Sequence, residues 1–315
     1  MKRFSEPHHL VLDLGSPIDI HQHLWPESLL QALAQRQEPP MIVHTARGWI
    51  LRLLGEPEAA LDFADHDPDR RAKLMVPDGL ERVLVAPSTP LGIEMLPAGE
   101  AEPLLAAYHE GVAALPDRFG AWAAVGLDAP DPAPLAALLD QGFAGACVAA
   151  EALDGPAGYE RLGPVLETLE RRDAPLFIHP GLGPAAAPPG APRWWAGLTQ
   201  YVAAMQVAWL AFAVWGRPAH PALRVCFAML AGLAPLQRER LLARGGRVTR
   251  DAGVFLDVSS YGERAVDAAL REIGVDQLVF GSDRPVVAAP ELPFGDAVQT
   301  AMRERNPARL LGLAA

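Results

Sequence analysis

Eight short apolar runs separated by helix-length segments set the outline of this chain, and that alternation leaves few folds open. The runs fall at residues 18–24, 82–86, 119–125, 145–149, 176–179, 224–229, 254–258 and 278–282 of the 315. Strands alternating with helices give a parallel sheet with right-handed crossovers. Eight such units predict an α/β fold, a (β/α)8 TIM barrel formed by one domain over residues 1–315. Residues 41–57, which follow Pro39-Pro40, interrupt the alternation before the second run. They are expected to form a long insertion after the first strand, on the face where barrel loops build substrate pockets.

The first run reads Ile18-Asp19-Ile20-His21-Gln22-His23-Leu24. Residues i and i+2 of a strand share a face, so His21 and His23 project together. Two histidines at this spacing often mean no more than an exposed strand face. Here, however, the fifth run ends in His179 and the eighth is followed by Asp283. Ligand-type residues at the carboxyl ends of strands lie where a barrel keeps its chemistry.

Composition excludes some partners. A formal net charge of −11 is unsuited to a general nucleic-acid surface, which needs clustered Lys and Arg; a small-molecule substrate is expected instead. The most hydrophobic stretch, residues 201–215, reads as too short to span a bilayer. The segment Met1-Lys2-Arg3-Phe4-Ser5-Glu6-Pro7-His8-His9 has acid, Pro and His where a signal peptide needs an apolar core. A cytoplasmic protein without membrane contact is the expectation. Cys147 and Cys226, the only two cysteines, sit inside strand-like runs and read as small buried side chains rather than a disulfide. A helix expected over residues 199–215 is apolar nearly all round, which suggests a homodimer, although packing on the core accounts for it equally well.

These motifs resemble the amidohydrolase superfamily of metal-dependent TIM barrels. Within it, they are similar to the amidohydrolase-2 group that includes aminocarboxymuconate-semialdehyde decarboxylase and related aromatic-acid decarboxylases. The resemblance rests on Asp19-Ile20-His21-Gln22-His23, Ile178-His179-Pro180-Gly181, Phe280-Gly281-Ser282-Asp283-Arg284-Pro285 and residues 306–311. It implies that His21, His23, His179 and Asp283 hold one divalent metal ion, usually zinc. The Lys that bridges two metals in other branches is missing from Gly145-Ala146-Cys147-Val148-Ala149, so a mononuclear site is expected. Three imidazoles and a carboxylate with an open position match a catalytic zinc site, at which water becomes a usable nucleophile. Asp283 is the expected catalytic base.

The chain departs from the group at the sixth run, Phe227-Ala228-Met229-Leu230-Ala231-Gly232-Leu233-Ala234-Pro235. Met229 stands where relatives carry a His, and no histidine occurs after His220. Met229 therefore enters the expected substrate surface as a residue that cannot donate a proton. His44 in the insertion is the one other histidine placed to compensate, while His8, His9, His66, His109 and His220 read as solvated. Arg47, Arg52, Arg193 and above all Arg284 are candidates to hold a substrate carboxylate, with loop salt bridges as the plainer reading. Trp25, Trp49, Trp194 and Trp195 are candidates to wall a planar substrate, or simply pack loop on barrel. The leading reading is a metal-dependent hydrolase of a small, aromatic or anionic carbonyl substrate. Non-oxidative decarboxylation is the alternative within the group. A barrel that binds a ligand without turnover is the alternative outside it.

Overall fold

Nine of the strands in the structure, a computed structural model, pair in parallel. They are β1 (Ile18–Gln22), β5 (Arg82–Val85), β6 (Phe119–Ala121), β7 (Ala123–Ala124), β8 (Ala146–Ala149), β9 (Leu176–His179), β10 (Val225–Phe227), β11 (Val254–Asp257) and β12 (Leu278–Val279). The other three, β2 (Met41–Thr45), β3 (Gly48–Arg52) and β4 (Ala59–Ala60), pair antiparallel. Residues 15–54, 56–183, 188, 190–192, 194–247 and 249–313 are described. The fold is α/β, as expected. Among the described residues the parallel strands fall into two sheets, β1-β5-β6 and β12-β11-β10-β9-β8-β7.

Hydrogen bonds run between the edges of these two sheets. On one side Ile20 N donates to Phe280 O (3.0 Å), Asp283 N to His21 O (2.8 Å) and His23 N to Arg284 O (2.7 Å). On the other, the expected third strand is broken at Trp122 into β6 and β7. Trp122 N still donates to Val85 O (2.9 Å), and Ala144 N to Ala121 O (2.9 Å). The break has a cause in the side chain. Trp122 is wholly buried, stacks on Phe177 and sends its indole N–H to Ile20 O on β1 at 2.9 Å. An indole buried among apolar side chains needs such an acceptor.

The flanking helices follow their sequence signals. Asp131 accepts from Ala133 N at 2.9 Å and Pro132 opens helix Pro132–Asp140; Asp67 accepts from Arg70 N at 2.8 Å ahead of Pro68–Met75. Both pair an N-cap carboxylate with a proline whose missing N–H would have had no partner.

Residues 41–57, expected as a long insertion after the first strand, contain most of the antiparallel β2-β3-β4 sheet. Ile42, Ile50 and Leu51 are buried, while His44 and Trp49, paired next to the β2–β3 turn, are exposed, so the hairpin is packed at its open end and reaches solvent at its tip.

The apolar helix expected at 199–215 is longer. Helical structure runs from Trp195 to Ala219, and by length and composition alone its 25 residues suffice to cross a membrane, which corrects the expectation that the segment is too short. Met205, Ala208, Ala211 and Phe212 are buried in the core, and Val207, Leu210, Val214 and Trp215 are exposed. Cys147 and Cys226 are buried free thiols.

Three histidines expected in solvent are packed structural groups. His66 and His220 are buried. His66 stacks on Trp25, accepts from Trp25 N at 3.1 Å, and is pushed down to a pKa of about 4 by burial and then by Arg71. The His109 ring accepts from Ala124 N at 3.0 Å, and burial pushes it down to about 4.

Candidate metal centre

His21 lies on β1, His23 just beyond it, His179 at the end of β9 and Asp283 after β12. All four are buried, and one ligand atom from each lies within 4.8 Å of the others. His21 Nε2 is 3.2 Å from His23 Nε2, and Asp283 Oδ1 is 3.1 Å from His23 Nε2 and 3.5 Å from His21 Nε2.

The outward nitrogens fix what the inward ones can do. His21 Nδ1 faces Asp257 Oδ2 at 2.7 Å, His23 Nδ1 faces Ala86 O at 3.1 Å, and His179 Nδ1 faces Pro180 O at 2.8 Å. A carboxylate and two carbonyls can only accept, so each Nδ1 carries a proton, and each ring in its neutral form turns its Nε2 lone pair inward. Asp283 Oδ1, buried without a hydrogen-bond partner, adds a fourth. Four converging lone pairs repel unless a cation lies among them, and a divalent ion with N and O ligands meets that need. The donor set fits a metal.

The same packing shifts the titration of three of the four side chains. Burial opposes charge on His21, but Asp257, then Asp283 and Asp19, outweigh it and raise its pKa to about 8. Burial and then the neighbouring His21 and His23 push His179 well below its ordinary value. Burial acts to raise Asp283, yet the close approach of His23 and His21 prevails, so the carboxyl lies below its ordinary value.

A supporting shell surrounds the cluster, and most of it escaped the sequence reading. Asp257, fully buried, holds His21 through Oδ2. Its Oδ1 accepts from Met229 N (3.0 Å), Ser259 N (2.9 Å) and Ser259 Oγ (2.6 Å). It ends an apolar strand, the signal that singled out His179, and so was open to detection. Arg71 is buried and joins both ligand-bearing segments. It donates to His23 O (2.9 Å), Arg284 O (3.0 Å) and the Gln22 side chain; nothing in the sequence marks it. The Thr89 hydroxyl lies 2.8 Å from His179 Nδ1. Glu151, after β8, accepts from Gly181 N at 3.0 Å, and burial raises its pKa. A Cβ on Gly281 would lie 2.9 Å from His21 Cβ and 3.0 Å from Asp257 Cβ, so only glycine lets the eighth strand approach this closely.

Met229 opens a left-handed turn. Residues 229–233 all have positive φ, four of them not glycine, a conformation costing roughly 1–2 kcal/mol per L-residue. Gly232 (φ +60) is required twice over, since a Cβ there would meet Val202 O at 2.5 Å.

The other candidates are not gathered at the cluster. Arg284 is held by Asp78 at 2.9 Å. Arg47 is exposed beside Glu58 at 3.7 Å, and Arg52 binds the same carboxylate at 2.8 Å. These are the loop salt bridges of the plainer reading. His44 packs against Trp49 on the antiparallel sheet, and Trp194 is exposed beside Trp195. Arg193 lies outside the described residues. One link supports the insertion's expected position over the site: the Tyr201 hydroxyl, on the helix after His179, donates to Glu56 Oε1 at 2.5 Å. Burial, then Glu56, Glu151 and Asp283, raise the Tyr201 pKa.

No protein-family model matches the sequence, and no curated protein does. Solved structures do. The apo form of IDCase from Metarhizium anisopliae matches with a TM-score of 0.76 at 18% identity, over 95% of this chain and 97% of that one. A 2,6-dihydroxybenzoate decarboxylase from Rhizobium matches with 0.64 at 19% identity, over 95% and 99%. A 5-carboxyvanillate decarboxylase from Novosphingobium aromaticivorans, with bound manganese and a nitrobenzoic acid, matches with 0.69 at 16% identity, over 96% and 100%. The chain has their fold. The likeness extends end to end and agrees with the resemblance carried by the strand-end motifs.

Proposed function

We propose that this chain is a metal-dependent carboxy-lyase of the amidohydrolase-2 group, releasing carbon dioxide without oxidation from a small aromatic acid. The observation that carries the reading is the buried cluster of His21, His23, His179 and Asp283 with its Nε2 lone pairs turned inward. Decarboxylases among the solved structures of this fold, with manganese bound in two of them, favour carboxy-lyase over the hydrolase reading. The edge hydrogen bonds support closure of the parallel strands into one (β/α)8 barrel in one domain, with β2-β3-β4 as its insertion. In that frame the cluster lies at the catalytic, carboxyl end of the strands.

His21, His23, His179 and Asp283 would hold the ion. When bound, a divalent ion supplies positive charge that holds an anionic substrate and stabilises charge developing as the carboxylate leaves. Manganese is the first ion to test, beside zinc. As the carbon–carboxyl bond breaks, a proton must reach the ring carbon. Asp283, the only carboxylate of the cluster, would take one proton from water and pass it to that carbon, returning to the ionised form that its lowered pKa favours. Met229 can only pack against the substrate.

The test is product analysis on metal-loaded protein with 2,6-dihydroxybenzoate, 5-carboxyvanillate and related hydroxybenzoates. Carbon dioxide release with one deuteron taken onto the ring in D2O is expected. Incorporation of ¹⁸O from labelled water without carbon dioxide would overturn the proposal in favour of hydrolysis. Met229→His restores a proton-transfer group at the sixth strand and is expected to raise turnover, since such groups contribute ~10²–10⁴-fold. Unchanged kcat in that variant would remove the sixth strand from the chemistry.

A further inference from the structure

The helical layer is thin after β10. Beyond the left-handed turn come residues 234–237 and then helix Arg238–Ala243, six residues with no buried side chain. The helices after β8 and β9 run 16 and 17 residues and bury apolar faces. The short helix cannot cover the outside of β11, and a cavity of ≈ 450 Å³ opens there. It includes Asp251 and Val254, where β11 begins, and so lies toward the strand end opposite the metal ligands.

The lining is amphipathic. Trp209, Phe212, Leu256 and Leu270 give it an apolar wall, and Arg217, Arg238, Arg247, Arg250 and Arg271 also line it. Two carboxylates, Asp251 and Glu272, line it as well, which leaves the lining basic in a chain of net charge −11. Arg217 is committed to Asp251 at 2.6 Å. Arg238 is loosely paired with Glu272 at 3.5 Å and Arg250 with Asp276 at 3.4 Å. Arg271 pairs with Asp267 on the exposed surface of its own helix. Arg247 has no ion-pair partner among the described residues. Exposed ion pairs contribute little, and each guanidinium has five N–H donors, so these arginines keep donors for a ligand.

We propose that this cavity is a second binding site, taking a small organic anion with an apolar or aromatic body and one acidic head. The volume suits such a ligand. The aromatic wall would take the body, and Arg247 and Arg250 at the rim would take the head in charge-assisted hydrogen bonds.

Titration of the full-length protein with 8-anilinonaphthalene-1-sulfonate, followed by fluorescence, tests this. Saturable binding of about one equivalent is expected, weakening with salt. The double variant Arg247→Glu/Arg250→Glu should bind ~10-fold more weakly or worse, with its melting temperature unchanged because both side chains are exposed. The uncharged N-phenyl-1-naphthylamine should bind both proteins alike. Benzoate should compete with the anionic probe better than inorganic phosphate, which lacks an apolar body. Equal probe binding by native and double-variant protein would overturn the proposal. So would loss of binding on Asp283→Ala, which would place the probe at the metal cluster.

Discussion

Asp283→Ala is expected to empty the metal site and abolish turnover while leaving the fold in place. The variant removes the only anionic donor, and three neutral imidazoles are left to share a dication. A ligand that binds only the folded state stabilises it by about 2.7 kcal/mol at a hundredfold excess over Kd, which is roughly 5 °C for a chain of this size. Native protein should therefore melt roughly 5 °C higher after manganese or zinc is added, and a chelator should reverse the rise. Asp283→Ala should show no rise, and elemental analysis should find its metal content near zero against about one equivalent in the native chain. The readout needs no substrate, so it separates the metal site from the choice of reaction. Equal metal content and an equal thermal shift in both proteins would remove Asp283 from the ligand set.

The parts of the site legible in the sequence were those written into strand periodicity. His21 and His23 face the same way because strand side chains alternate, and His179 stands out because it closes an apolar run. Asp257 carried the same signal and was missed, since the family pattern gives a ligand to the eighth strand and directs no attention to the seventh. Arg71 could not have been found. Its guanidinium reaches His23 O and Arg284 O across 48 and 213 positions of sequence, to backbone atoms that carry no residue identity. The break at Trp122 was hidden for a related reason, because the acceptor that holds its indole is Ile20 O on another strand. Arg284 shows the opposite error. Adjacency to Asp283 marked it as a substrate ligand, but neighbours in a strand or turn need not face the same way, and its guanidinium turns to Asp78. His66 and His220 were misread as solvated because burial depends on what packs against a loop from elsewhere in the chain.

Asp257→Asn should weaken metal binding about 10–100-fold, the usual cost of losing the partner that orients a ligand histidine. The substitution keeps the volume and changes one thing. Oδ1 accepts from Met229 N, Ser259 N and Ser259 Oγ, so the amide oxygen of Asn must take that position and its NH2 must face His21 Nδ1. Two donors cannot face each other. His21 must then give up the Nδ1 proton and carry it on Nε2, where it points at the ion and removes the lone pair that would bind it. The left-handed turn at Met229 keeps its hydrogen bond, so the melting temperature of the metal-free protein should change little by comparison. Nitrogen-15 NMR of the histidine rings, recorded above the His21 pKa of about 8 so that the ring is neutral, reads the tautomer directly: His21 should be protonated on Nδ1 in the native protein and on Nε2 in Asp257→Asn. Asp257→Ala serves as the contrast, because it abandons the buried donors of Met229 and Ser259, each worth ~1–3 kcal/mol when unpaired, and should lower stability as well as metal affinity. Native-like metal affinity in Asp257→Asn, or an unchanged His21 tautomer, would show that Asp257 supports the fold without setting the ligand.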